Sequence, residues 1–243
     1  MSGDMADERD IRRDLVYSRR RGHKLRPRRQ ALMRELLPEI EIHLESDTDL
    51  IDPRAHFSAG TAEVWLEIGF GGGEHLAWQA AQHPDIGFIG CEPYVNGVAA
   101  LLSRIAADNL SNVRIFPHDA RLLLARLAAG RIARLAMLFP DPWPKKRHHK
   151  RRLVCPEVIA RSADILAAGG EFRFATDHGE MARWTLLHMY REPRFCWMAE
   201  RARDWRERPE DWPETRYEQK AREAGRAPIF LRYRRVPRSP AGA

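Results

Sequence analysis

At 243 residues, with 44% hydrophobic and 31% charged residues, the chain can fill one large domain without a disulfide or metal staple. It is too apolar for a disordered tail and too charged for a membrane protein. Lys+Arg 41 against Asp+Glu 34 gives +7, a balance that suits a polyanionic partner and leaves the fold open.

Residues 1–30 are polar, Arg-rich and free of apolar periodicity, which predicts a mobile arm. Residues 9–34 hold eleven Lys or Arg against Asp10 and Asp14, a local +9. A short amphipathic helix is expected over Gln30–Leu37, stopped near Pro38. The arm and this helix (1–37) then lead into a single domain (38–243).

From there strands and helices alternate. Val64–Ile68 predicts a strand, followed by a glycine cluster and a helix over Glu74–Gln82. Gly87–Cys91 is a second strand, Val95–Ala107 a helix, Val113–Phe116 a third strand and Ala120–Ala129 a helix ended by Gly130. Leu135–Phe139 is the fourth strand. Pro156–Ala168 reads as a helix with Gly169-Gly170 as its stop signal. Phe172–Ala175 is the fifth strand, and His178–Tyr190 a helix. Phe195–Ala199 and Ile229–Arg235 read as two closing strands around a polar loop from Arg201 to Pro228. Strands alternating with helices predict an α/β fold, a mainly parallel sheet with helices on both faces and an antiparallel finish.

Cys91, Cys155 and Cys196 are odd in number and widely spaced, which points to reduced thiols rather than a disulfide framework or zinc ribbon. Adjacent His148-His149 lack a Cys or carboxylate at ligand spacing, so no metal is expected. Cys155-Pro156 reads as a helix entry, not a catalytic thiolate. No run approaches a membrane span, and the N-terminus lacks an apolar export core, so a cytoplasmic location without membrane association is expected.

The first βα turn reads Glu67-Ile68-Gly69-Phe70-Gly71-Gly72-Gly73. A dinucleotide turn needs Gly-x-Gly-x-x-Gly, and here the third site is Glu74. A carboxylate entering the turn repels a pyrophosphate and suits a cationic ligand without phosphate, such as S-adenosylmethionine (SAM). The second strand ends at Glu92, 23 residues after Gly69, the distance at which an acid takes ribose hydroxyls. Asp119 follows the third strand, where it suits an adenine amine. Asp141 and Asp177 follow the fourth and fifth.

The most unusual stretch is Phe139-Pro140-Asp141-Pro142-Trp143-Pro144-Lys145-Lys146-Arg147-His148-His149-Lys150-Arg151-Arg152. Three prolines rigidify the loop that carries Asp141 and Trp143. An aromatic there can stack on an extruded base. The six basic residues that follow, +6 with no acid between them, suit phosphates. What remains of the chain is then −8: an acidic body with two basic blocks. Trp205 and Trp212 read as packing residues of the C-terminal loop.

The PDPWPKKRHHKRR segment, the EIGFGGGEHL turn and the C-terminal ETRYEQKAREAG segment resemble the bacterial tRNA (guanine-N7-)-methyltransferases, the TrmB type. The resemblance spans roughly residues 17–235. It implies a Rossmann-like class I methyltransferase fold with a seven-stranded sheet, SAM as cofactor, tRNA as partner and the variable-loop guanine as target. It also implies SAM contacts at Glu67, Gly69, Gly71, Gly73, Glu92, Asp119 and Asp141, with Asp141 catalytic. Lys145, Asp177, Thr215, Arg216, Tyr217 and Glu218 would meet the guanine or RNA. Lys146, Arg147, Lys150, Arg151 and Arg152 would hold the RNA backbone. Tyr217 stands where the family often has Phe. Three alternatives stay open on the residues alone. They are methylation of an exocyclic base amine, a nicotinamide-dependent oxidoreductase that the missing third glycine disfavours, and a non-catalytic RNA-binding module. A monomer and a homodimer are equally compatible with the sequence.

Overall fold

Seven strands form one sheet in the computed structural model, which describes residues 20–44 and 49–237. They are β1 (Glu63–Ile68), β2 (Ile86–Cys91), β3 (Val113–Phe116), β4 (Ile132–Leu138), β5 (Leu166–Thr176), β6 (Phe195–Trp197) and β7 (Ile229–Arg235). Their order is β3-β2-β1-β4-β5-β7-β6. Every pairing from β3 to β5 is parallel, and β7 runs antiparallel between β5 and β6. The expected mainly parallel sheet with an antiparallel C-terminal strand is the one found.

The strands divide their side chains between two cores. Val64, Leu66 and Ile68 of β1 join Ile89, Leu135, Met137, Phe172 and Phe174 on one face. Trp65 and Phe88 face the other way, onto Leu76, Leu101 and Ile105. This double burial explains why β1 reads as a nearly continuous apolar run. Helices α3 (Glu74–Gln82) and α4 (Val95–Asp108) cover the second face. Helices α5 (Ala120–Arg126), α6 (Pro156–Ile165) and α7 (Gly179–Tyr190) cover the first. The chain reverses direction along the sheet between β1 and β4, the point at which open α/β sheets bind ligands.

Several boundaries depart from the sequence reading. Helix α1 (Pro27–Glu35) begins three residues earlier than expected, with Pro27 in its first turn, and a second short helix, α2 (Leu37–Ile40), runs through Pro38. Proline lacks only an N–H that the first turn leaves unused, so Pro38 starts a helix instead of stopping one. Residues 20–23 of the expected arm lie against the start of α4. Arg20 O accepts from Val95 N at 3.0 Å, and Asn96 bonds both Gly22 N and His23 O at 2.8 Å. Residues 1–19 of the arm lie outside the described residues. Helix α5 stops at Arg126 because Ala128 N turns to Ile51 O at 2.8 Å.

Gly169 and Gly170 do not end α6, which stops at Ile165. They lie inside β5, where the register to β4 shifts between Ile132 and Arg134 and Gly169 takes φ +80°. The polar loop expected from Arg201 holds two helices, α8 (Arg203–Arg206) and α9 (Arg216–Glu223).

Candidate active site

The turns after β1, β2, β3 and β4 open on a cavity of about 300 Å³. Gly69 and Gly71 line it from the first turn, Glu92 and Tyr94 from the second, and Asp119 and Arg121 from the third. Phe139, Asp141 and Trp143 line it from the fourth, Arg151 from the 3-10 turn Lys146–Arg151, and Tyr217 from α9. The structure thus brings Gly69, Gly71, Glu92, Asp119, Asp141, Arg151 and Tyr217 together from sequence positions far apart.

The glycine turn is held by carboxylate and helix alike. Glu92 accepts from Gly71 N at 2.9 Å and from Tyr94 N at 3.0 Å. Burial pushes the Glu92 carboxyl above its ordinary pKa, the two N–H groups oppose the rise, and the charge on Asp141 adds to it. Gly71 takes φ +56°, and a Cβ there would meet the Tyr217 ring at 2.9 Å. A Cβ on Gly97, in the first turn of α4, would lie 2.3 Å from Gly71 O. Gly97 therefore lets the helix end touch the turn, a contact that spacing alone does not reveal.

Asp119 caps α5, accepting from Arg121 N at 2.9 Å and Nε at 3.1 Å. Asp141 makes no hydrogen bond or ion pair among the described residues, and partial burial of its carboxyl pushes its pKa upward. The loop that presents it is unusual. Phe139 and Trp143 take φ +52° and +41°, a conformation that costs a bulky residue on the order of 1–3 kcal/mol. Phe139 also stacks on Tyr217 at 6.5 Å, with the rings 19° apart.

Other expected site residues stand elsewhere. Glu67 is buried under the turn, 2.7 Å from His75 Nδ1, and does not line the cavity. His75 in turn meets Gln79, whose amide donates to Asp211 O at 2.7 Å. Gly73 serves as the left-handed entry to α3. Asp177 accepts from Arg226 Nε at 2.7 Å. Thr215 caps α9 by accepting from Glu218 N, and the buried Glu218 carboxylate binds Arg208 and Arg222. Both residues thus fasten the helix that carries Tyr217. Arg216 lies over the Tyr217 ring at 5.1 Å.

Lys145, Lys146, Arg147 and Lys150 are exposed beside the cavity, while Arg152 is buried beneath the Asp141 loop. A fully buried guanidinium cannot reach a phosphate, so the structure gives Arg152 a different setting from its neighbours. Trp212 is a packing residue, as expected, set between His75, Arg173 and Phe230. Sequence reasoning missed Tyr94, His75, Gln79 and Arg173. Arg173 is almost wholly buried in β5 between Phe172 and Phe174, and holds the carboxylates of Asp211 at 2.6 Å and of Glu171, in the same strand, at 3.0 Å. Among the described residues no cluster of three His, Cys, Asp or Glu is arranged for a metal, and no helix is long and apolar enough to cross a membrane.

Comparison with known proteins gives consistent matches. A family model described as a putative methyltransferase matches residues 61–231. A tRNA (guanine-N(7)-)-methyltransferase of Rhodospirillum rubrum is 48% identical over 92% of this chain and 88% of its own. One of the same name from Zymomonas mobilis is 47% identical over 95% and 97%. Among solved structures, a SAM-dependent O-methyltransferase from Thermotoga maritima aligns with a TM-score of 0.50 at 16% identity, over 90% of this chain and 69% of that one. A 16S rRNA (adenine(1408)-N(1))-methyltransferase from Catenulisporales acidiphilia aligns at 0.51 and 17%, over 80% and 96%. At such low identity these two likenesses concern the fold alone.

Proposed function

The chain belongs to the tRNA (guanine-N(7)-)-methyltransferase family, and from that premise we propose that it methylates guanine N7 in tRNA with SAM as donor. The observation that carries this reading is the placement of Asp141. It stands between Phe139 and Trp143 in the lining of a cavity that Glu92 and Asp119 also line, with a basic turn following in the chain.

The cavity fits the cofactor by the chemistry of its donors. Three carboxylates that follow three strands line the cavity and would suit a ligand rich in positive charge and hydrogen-bond donors. Glu92 would take the ribose hydroxyls while keeping its bonds to the turn, and Asp119 would take the adenine amine. Gly71 leaves room for close approach of backbone to ligand. When bound, SAM supplies a methyl group on a positively charged sulfur, open to in-line displacement.

Guanine N7 offers a lone pair and carries no proton, so the chain needs no general base and contributes mainly by positioning. Trp143 and Tyr217 would flank the base. Asp141 would stabilise the positive charge that grows on the purine, an effect that is strong because the carboxylate is fixed in advance. A carboxylate also accepts from the guanine N1–H and N2 amine, which adenine cannot match. Lys145, Lys146, Arg147 and Lys150 would hold phosphates nearby and set the register of the RNA. We place the enzyme in the cytoplasm, where its tRNA substrate is found.

Incubation with methyl-labelled SAM and an unmodified tRNA transcript, followed by digestion to nucleosides, tests the reading. Label in 7-methylguanosine is expected. Label in a base methylated on an exocyclic amine would overturn it.

A further inference from the structure

We propose that Arg152 is a positioning residue for methyl transfer, gripping the Asp141 loop from below. This inference rests on the functional reading above.

Within the basic run, Arg152 alone combines complete side-chain burial with bonds to the loop backbone among the described residues. Its Nε donates to Pro142 O at 2.9 Å and its Nη2 to Trp143 O at 3.3 Å. The same Nη2 lies 2.7 Å from Glu180 Oε1, at the start of α7. The guanidinium also sits over the Trp184 ring, 4.8 Å from its centroid. A buried cation is tolerated only with such compensation.

The loop needs an outside donor. Pro140, Pro142 and Pro144 have no N–H, so alternate residues cannot donate to one another or to the sheet. Phe139 N reaches Ala175 O at 2.8 Å and anchors the entry. Beyond it, Phe139 and Trp143 hold a conformation that relaxes unless the surroundings enforce it. Arg152 binds the carbonyls of the two residues that follow Asp141, so it fixes the direction in which that carboxylate leaves the backbone. The planar fork makes this possible, whereas a lysine offers one compact ammonium.

The test uses the full chain with unmodified tRNA transcript and SAM. Arg152→Gln is expected to lower kcat by about 100-fold, the size of effect that follows a displacement of about 1 Å. KM for SAM and tRNA should stay within about threefold, and the salt dependence of tRNA binding should be unchanged. Arg152→Lys should fall nearly as far, since charge without the fork cannot bridge the two carbonyls. A kcat within about threefold of wild type overturns the proposal. So does a kept kcat with a salt slope smaller by about one, the mark of a side chain that neutralises a phosphate. If Arg152→Gln does not fold, Glu180→Gln decides. That change, at a half-exposed site, should cost about tenfold in kcat at unchanged KM, and no loss overturns the proposal. A wild-type chain that fails to methylate guanine N7 sinks the functional reading. An active wild type with indifferent variants sinks this inference alone.

Discussion

Replacing Gly97 by alanine should weaken SAM binding although it improves a helix. In an unconstrained helix interior, Gly→Ala stabilises by about 1 kcal/mol. Here the new methyl would lie 2.3 Å from Gly71 O, 3.2 Å from Gly71 C and 3.3 Å from the Glu92 side chain. The first distance is about 1 Å short of ordinary contact, and its partner is backbone rather than a side chain that can rotate away. Either the start of α4 or the glycine turn must move. The turn is fastened to Glu92 at 2.9 Å, so a shift there strains the bond that presents this carboxylate to the cavity. Overpacking of this kind costs about 1–3 kcal/mol, so the gain in helix propensity is cancelled or exceeded. Calorimetric titration with SAM should give a Kd raised by about tenfold or more, and thermal unfolding a midpoint equal to or below wild type. A variant that binds SAM as tightly as wild type and melts higher would refute the claim that α4 and the cofactor turn are packed without slack.

Asp141→Ala should lower kcat by about 100-fold or more with a smaller change in SAM affinity, measured by single-turnover methylation and calorimetry. SAM affinity should fall in acid with an apparent pKa above the usual carboxylate value of about 4.3, because burial raises Glu92 in the folded protein and the ribose contacts favour its charged form. Glu92→Gln should remove that limb, and an unchanged pH profile would exclude Glu92 as its source. The linked effect on stability has the opposite sense. A raised carboxyl pKa favours folding most at low pH and loses that contribution as pH rises through the folded value. Neutralising Lys145, Lys146, Arg147 and Lys150 together should reduce the salt slope of tRNA binding by up to about 0.7–0.9 for each phosphate that these side chains neutralise. Phe172→Ala, in the wholly buried centre of β5, should destabilise by about 3–5 kcal/mol in denaturant titration.

Much of this architecture is legible in the chain itself. The bounds of α3, β3 and β7 agree residue for residue with the sequence reading, since apolar period and flanking Pro or Gly coincide there. The strand-end acids are legible because topology brings the carboxyl ends of β1 to β4 to one edge whatever the loops do. Helix α9 is not, because only Glu218 and Ala221 of its eight residues are buried and no apolar stripe marks it. Its one sequence sign is the Thr215-x-x-Glu218 spacing of a helix start. Gly169-Gly170 misleads because a glycine pair serves a strand bulge as well as a helix stop. Arg152 is hidden among like charges. Only the packing of α7 distinguishes its buried guanidinium from the exposed one of Arg147 in the same run. Glu67 shows what motif position leaves out: the fold sets its buried carboxylate against His75, a partner eight residues on that no spacing rule names.

The central claim is that Asp141, beside the cofactor edge, directs the methyl group to guanine N7. It is tested most directly by mapping the product. A tRNA transcript methylated by the wild-type chain, then reduced and treated with aniline, should cleave at a single guanine in the variable loop. The Asp141→Ala reaction under the same conditions should leave the transcript intact. A methylated but uncleaved wild-type product, or equal cleavage with the variant, would contradict it.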